Sequence, residues 1–210
     1  MEQLAKVVIA DDSRMSRLLC ENVIKESGRY SLAGSFATAE EAVRFCETED
    51  ADIVILDIVM VKGGCNGIEA AGLIKKMKPS TKVILMTSMP EHTFIEKARA
   101  NQVDSFWYKE VEEIPLMLLL DRTAAGESVY PDTTPELEVG EMSSKGFTPR
   151  ELEVLRYLVD GYENTEIAEK LNISPRTVKM HIENMLHRTG FRNRLELAVN
   201  VRADGLIIND

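Results

Sequence analysis

Four short apolar runs in the first half of the chain each end on a residue suited to moving a phosphoryl group. Lys6–Ala10 leads into Asp11 and Asp12, Asp52–Leu56 into Asp57, Lys82–Met86 into Thr87 and Ser88, and Asp104–Tyr108 into Lys109. A carboxylate accepts a phosphoryl group only where something offsets the incoming charge. Magnesium does this with oxygen ligands in an octahedral site that keeps several waters. In that chemistry Asp57 is the acceptor, and Asp11, Asp12, Asp57 and the backbone carbonyl of Val59 supply the metal's oxygens. Lys109 is a point cation suited to pairing first with Asp57 and then with the acyl phosphate. The Thr87 hydroxyl, with Ser88 beside it, can turn toward a phosphoryl oxygen, and Phe106 can fill the space it leaves, a two-state switch. Singly these residues have plainer readings: a helix cap, loop hydroxyls, a solvated lysine. Their order and strand context favour the site.

The elements that would hold these residues are legible from apolar spacing. Up to about Arg122, strand-like runs alternate with helix-like stretches, the pattern of a parallel sheet covered on both faces. Leu18/Leu19 and Val23/Ile24 recur at helical spacing, and Asn66-Gly67 opens a helix with Ile68, Ala71, Leu73 and Ile74 on its apolar side. Pro115 is expected in the first turn of the last helix of this half, whose Leu116–Leu120 run is apolar nearly all round. The fold expected is an α/β, doubly wound, five-stranded parallel sheet over 1–126. Residues 127–145 mix glycine, proline and acids without a period and are expected to be linker.

From residue 146 to 210 the pattern is helical. Thr148-Pro149-Arg150-Glu151 combines a cap, a first-turn proline and an acid three residues after the cap, and Ser174-Pro175 is a second such start. With Val178, Ile182, Met185 and Leu186 inward, the second of these helices turns Lys179, Met180, Glu183, Asn184 and His187 outward. A helix entering the major groove has this division: one stripe buried, another facing base edges. Ser174, Arg176, Thr177, Arg188, Arg192 and Arg194 fall where phosphate contacts would fix register. A last helix is expected from about Leu195.

Charge supports this partition. Residues 1–144 hold 15 Lys/Arg against 25 Asp/Glu, whereas 145–210 hold 10 against 10. Within 176–194, five basic residues face the single acid Glu183, a local basic patch on an acidic chain. No 18-residue apolar run is present, so no membrane span is expected, and the N-terminus has no signal-peptide layout. Cys20, Cys46 and Cys65 fit neither zinc spacing nor a disulfide framework, and a cytoplasmic protein is expected.

On the acid pair, Asp57, Thr87 and Lys109, residues 4–126 resemble a response-regulator receiver domain. On Phe147-Thr-Pro-Arg-Glu-Leu and on Asn164 through Ile182, the second half resembles the LuxR-type four-helix DNA-binding domain, to about Gly205-Leu206. The whole chain resembles a NarL/FixJ-type response regulator. This resemblance implies a small all-α helix-turn-helix domain, phosphorylation of Asp57 by a sensor histidine kinase or a small phosphodonor, magnesium at Asp11 and Asp12, and double-stranded DNA as target. It also implies a homodimer through the last helix, around Glu196, Val199, Asn200 and Arg202, with RNA polymerase a further partner to test. The chain departs from the family pattern in places. Met60-Val61-Lys62-Gly63-Gly64-Cys65 lacks the usual proline and is two residues longer, which leaves that loop freer. Glu110 follows Lys109 in place of a common proline, so no cis peptide is expected there. Val59 and Met89 stand where relatives tune dephosphorylation, and neither can orient a hydrolytic water. A magnesium phosphatase is the enzyme alternative; its usual Asp-x-Asp after the first strand is here Asp11-Asp12-Ser13. A DNA binder with a vestigial receiver and a protein-interaction adaptor are the remaining alternatives.

Overall fold

The computed structural model describes residues 4–60, 63–91, 93–109, 114–132, 134–203 and 206–207. Two compact units result, Met1–Thr87 with Phe94–Thr133, and Thr134–Asn209 with Ser88–Thr93. The first alternates β1 (Ala5–Ala10), α1 (Arg14–Ser27), β2 (Tyr30–Phe36), α2 (Ala39–Thr48), β3 (Ile53–Asp57), α3 (Gly67–Met77), β4 (Lys82–Thr87), α4 (Thr93–Ala100), β5 (Ser105–Tyr108) and α5 (Leu116–Ala124). Its strands are parallel in the order β2-β1-β3-β4-β5. Every residue of β3 is buried, as are Val7–Ala10 and Val83–Thr87, because helices cover both faces. On one face Val7, Ile9, Ile53, Ile55, Ile84 and Met86 pack with Cys20 and Ile24 of α1 and Leu116, Leu119 and Leu120 of α5. At roughly 1.5–3 kcal/mol per fully buried large aliphatic, this layer is a major stabilising contribution.

Local chemistry sets the helix starts. Ser13 and Thr38 cap α1 and α2 by accepting the Ser16 and Glu41 N–H groups, and Asn66 with Glu69 forms a capping box on α3. Pro115 occupies the N-cap of α5, one position before the first turn expected for it. Two apolar assignments change. Cys20 and Ile24 are the buried residues of α1, while Leu18 and Leu19 are 42% and 62% exposed. Leu73 of α3 is likewise exposed, since Ala70 lies on the inner stripe with Ile68, Ala71 and Ile74.

The 127–145 stretch, expected to be plain linker, carries structure. The Val129 carbonyl accepts the Phe106 N–H at 2.8 Å, so this segment covers the open edge of β5. The Tyr130 hydroxyl donates to the Val103 carbonyl at 2.9 Å, and the Arg99 guanidinium lies 4.0 Å from its ring centroid. Further on, β6 (Glu138–Val139) and β7 (Met142–Ser143) pair as a short hairpin. The second unit then runs α6 (Pro149–Val159), α7 (Asn164–Leu171), α8 (Pro175–Thr189) and α9 (Arg194–Ala203). Thr148 and Ser174 cap α6 and α8, each with a proline at the start of the helix. Asn172, in the left-handed region at φ 51°, ends α7 and permits the tight turn into α8. Leu152, Leu155, Ile167, Val178, Ile182, Met185, Leu197 and Val201 form the buried core here, with Leu186 at its half-buried margin.

Candidate functional site

Strand register brings the acid pair, Asp57, Thr87 and Lys109 to one end of the sheet. Ala10 lies beside Leu56, so Asp11 follows β1 at the level where Asp57 ends β3. Asp57 lies beside Met86 and Thr87 beside Tyr108, so Thr87 and Lys109 emerge one step further. The strand order reverses between β1 and β3, and the carboxyl ends flanking such a reversal form a crevice for ligands. Gly67 closes the crevice's rim: its N–H donates to the Ile58 carbonyl at 3.1 Å, and a Cβ there would fall 2.0 Å from the Asp57 carbonyl oxygen. Only glycine permits α3 to start so close to β3.

Carboxylate oxygens of Asp11, Asp12 and Asp57 lie within 4.8 Å of one another. Lys109 Nζ stands 2.9 Å from Asp11 Oδ2 and 3.0 Å from Asp57 Oδ2. Asp11 is fully buried; its Oδ1 accepts the Ser13 N–H at 2.8 Å and its Oδ2 the Ser16 hydroxyl at 2.5 Å, while Arg17 donates to its carbonyl. Asp12 is half-buried and Asp57 only 6% exposed. Burial pushes the Asp57 carboxyl up to about 7; Lys109 opposes this and Asp11 adds to it. Lys109 is held above the usual lysine value because Asp57 and Asp11 outweigh its own burial. An all-oxygen cluster with surplus negative charge fits a hard divalent cation.

Thr87 and Phe106, the main switch candidates, are buried. Thr87 is 1% exposed at the end of β4, its carbonyl accepting the Lys109 N–H at 2.9 Å, and Ser88 follows, half-buried. Phe106 is 1% exposed, edge-on to Tyr108 at 5.0 Å and stacked with Tyr130 at 6.2 Å. Val59 is half-buried just past Asp57, whereas Val61, Lys62 and the Lys109–Glu110 peptide lie outside the described residues.

In the second unit, Ser174, Arg176, Lys179, Met180, Glu183, Asn184 and His187 are exposed along α8, with Thr177 half-buried. Lys179 and Glu183 pair at 3.6 Å across one helical turn. Three arginines expected at phosphates also have partners within the protein. Arg188 donates to the buried Glu151 and, at 2.7 Å, to the Gly146 carbonyl, tying α8 to the start of α6. Arg194 reaches the Tyr162 carbonyl at 2.6 Å and Glu163 at 3.2 Å, fastening α9 to α7. Arg192 pairs with Glu196 at 3.1 Å. On α9, Val199 is 58% and Leu195 70% exposed, Arg202 is exposed, and Asn200 donates to the Glu196 carbonyl at 2.7 Å. Ser16 at Asp11 was missed from sequence; its place in the first turn after the acid pair was the available signal.

The family model described as response regulator receiver domain matches residues 7–121, more than half of the chain. The chain belongs to the response-regulator family. A second model, bacterial regulatory proteins of the luxR family, matches residues 145–201, which makes this a NarL/FixJ-type regulator. It is 26% identical over 212 residues to the nitrate/nitrite response regulator protein NarL of Escherichia coli (strain K12), covering 97% of each. It is 29% identical over 210 residues to the response regulator protein VraR of Staphylococcus aureus (strain NCTC 8325 / PS 47), covering 96% of the regulator and 98% of VraR. The fold matches that of RcsB from Salmonella enterica serovar Typhimurium bound to promoter rprA in the presence of phosphomimetic BeF3-. The TM-score there is 0.58 with 21% identity, over 96% of the regulator and 99% of RcsB. Among the described residues, no helix is long and apolar enough to cross a membrane.

Proposed function

We propose that the regulator is a cytoplasmic transcription factor that takes a phosphoryl group on Asp57 from a sensor histidine kinase and, once phosphorylated, dimerises and binds double-stranded DNA. The observation carrying this reading is Lys109 between Asp57 and Asp11 at one end of the sheet, with Asp12 alongside. The ionised Asp57 oxygen attacks phosphorus, the donor's bond to phosphorus breaks, and the leaving histidine takes up a proton. Lys109 then exchanges one carboxylate partner for the acyl phosphate while Asp11 continues to hold it. Asp11, Asp12, Asp57 and the Val59 carbonyl would hold magnesium, which when bound offsets charge on the phosphoryl oxygens. Thr87, with Ser88, turns to the new phosphoryl group, and the already buried Phe106 fills the space the hydroxyl leaves.

On the DNA side, Lys179 suits guanine O6/N7 and Glu183 suits cytosine N4, with Met180, Asn184 and His187 along the same face. Ser174, Arg176 and Thr177 at the start of α8 suit phosphate contacts. Arg192 and Arg194 join them only where DNA outcompetes Glu196 and Glu163. The exposed Leu195 and Val199 of α9, with Glu196, Asn200 and Arg202, suit the dimer seam. A DNA-bound dimer brings RNA polymerase within reach of contact. The chemistry is stoichiometric modification rather than turnover of a substrate. Intact mass after incubation with acetyl phosphate and magnesium tests the reading: wild type gains one phosphoryl group and Asp57→Asn gains none. Equal gain in both would refute it.

A further inference from the structure

The described part of the loop after the phosphoacceptor, Gly63–Asn66, is tethered. Glu40, in the first turn of α2, reaches across and its Oε1 accepts the Gly64 N–H. The carboxyl is held below the usual glutamate range by its own N–H, then by the N–H groups of Gly64 and Cys65. Its Oε2 is buried beneath the loop. Gly63 is fitted to this contact: its φ is +104°, and a Cβ there would fall 2.4 Å from Glu40 Oε2. Successive backbone N–H groups turned toward one carboxylate make an anion-binding concavity, here filled from within the protein. The loop's other end is fixed by Asn66, which caps α3, and by the Gly67 N–H on the Ile58 carbonyl. Between these ties lies Val59, whose carbonyl is the backbone metal ligand in the proposed site.

From this geometry we propose that Glu40 is a positioning residue for phosphorylation, holding the Gly63–Cys65 loop so that the Val59 carbonyl is set for the metal. This rests on the magnesium reading above. Glu40 is remote in sequence from the site residues and touches none of the reacting atoms; its effect passes through Cys65, Asn66 and the Gly67 N–H to the Ile58 carbonyl, one residue before Val59.

The test is the magnesium dependence of phosphorylation by acetyl phosphate in full-length wild type, Glu40→Ala, Glu40→Gln and Asp12→Asn, with hydrogen exchange at the Gly64 and Cys65 amides. Glu40→Ala is expected to raise half-saturating magnesium about ten-fold, the low end for an outer-shell partner, while changing the rate at saturating magnesium by less than about two-fold. Glu40→Gln, which keeps an acceptor oxygen, should fall between wild type and alanine, and both amides should exchange faster in the alanine variant. Unchanged half-saturation despite faster exchange overturns the proposal, as does unchanged exchange. If Asp12→Asn also leaves magnesium dependence untouched, the metal site itself is wrong; if only Asp12→Asn shifts it, the fault lies with Glu40 alone.

Discussion

Replacing Asp57 by asparagine is expected to stabilise the metal-free protein. The carboxyl rises from 3.8 to about 7 on folding, chiefly through burial, with Asp11 adding to the rise. A rise of about 3 units at roughly 1.4 kcal/mol per unit is about 4 kcal/mol of strain for the ionised form well above pH 7. That figure is already net of the Lys109 attraction, which opposes the rise. Lys109 keeps Asp11 at 2.9 Å after the substitution, so the gain reaches about 4 kcal/mol at high pH. For a chain of this size that is a rise of up to roughly 8–16 °C in the first unit's transition. The folded state holds a proton on Asp57 between about pH 4 and about pH 7 that the unfolded chain has released. The stability from this group is therefore fully present below about pH 4 and lost as pH rises through about 7. Differential scanning calorimetry in chelator across that range checks both size and sign. The gap should widen with pH, and saturating magnesium should narrow it by favouring the ionised wild-type carboxylate. A destabilised variant at high pH, or a pH-independent gap, would refute the reasoning.

Lys109→Ala leaves two buried acids without their shared cation and should cost about 3–5 kcal/mol in chelator near neutral pH. Only part of that loss should disappear in an Asp57→Asn background, since Asp11 still loses its partner, and paired melts would reveal the Asp57 share. Arg188→Ala should destabilise the second unit by about 2–3 kcal/mol by stranding the buried Glu151, and leave the salt slope of DNA binding unchanged. Lys179→Ala should do the reverse: little change in melting, and either a salt slope lower by about one or relaxed preference at one base pair. Neither Val59 nor Met89, two residues past Asp57 and two past Thr87, has a group to orient a hydrolytic water, so purified phosphoprotein should lose its phosphoryl group slowly, and rapid hydrolysis followed by phosphate release would contradict this.

Much of the first unit was legible because its signals are local. An apolar run buried on both faces marks a central parallel strand, and Asn66, Thr148 and Ser174 announce their helices through caps made within a few residues. The acids, Thr87 and Lys109 converge because each ends its own strand, so their meeting follows from the sheet. What escaped the sequence depends on partners far along the chain. Glu151 and Gly146, the partners of Arg188, lie far from it along the chain. Arg194 is occupied by Tyr162 and Glu163, and nothing near Glu40 foretells Gly64. Val129 bonds Ser105 and Phe106 at the edge of β5, too short a pairing to leave a repeat in the sequence. Leu73 shows the complementary error, an apolar residue at helical spacing whose inner position Ala70 holds.

The central claim is that Asp57 governs the DNA-binding half. Its most direct test is DNA binding as a function of salt, with and without acetyl phosphate and magnesium, for wild type and Asp57→Asn. Treatment should tighten binding or raise its cooperativity in wild type alone, with salt-sensitive affinity in both proteins. Salt-sensitive binding that ignores the phosphodonor in wild type would contradict it.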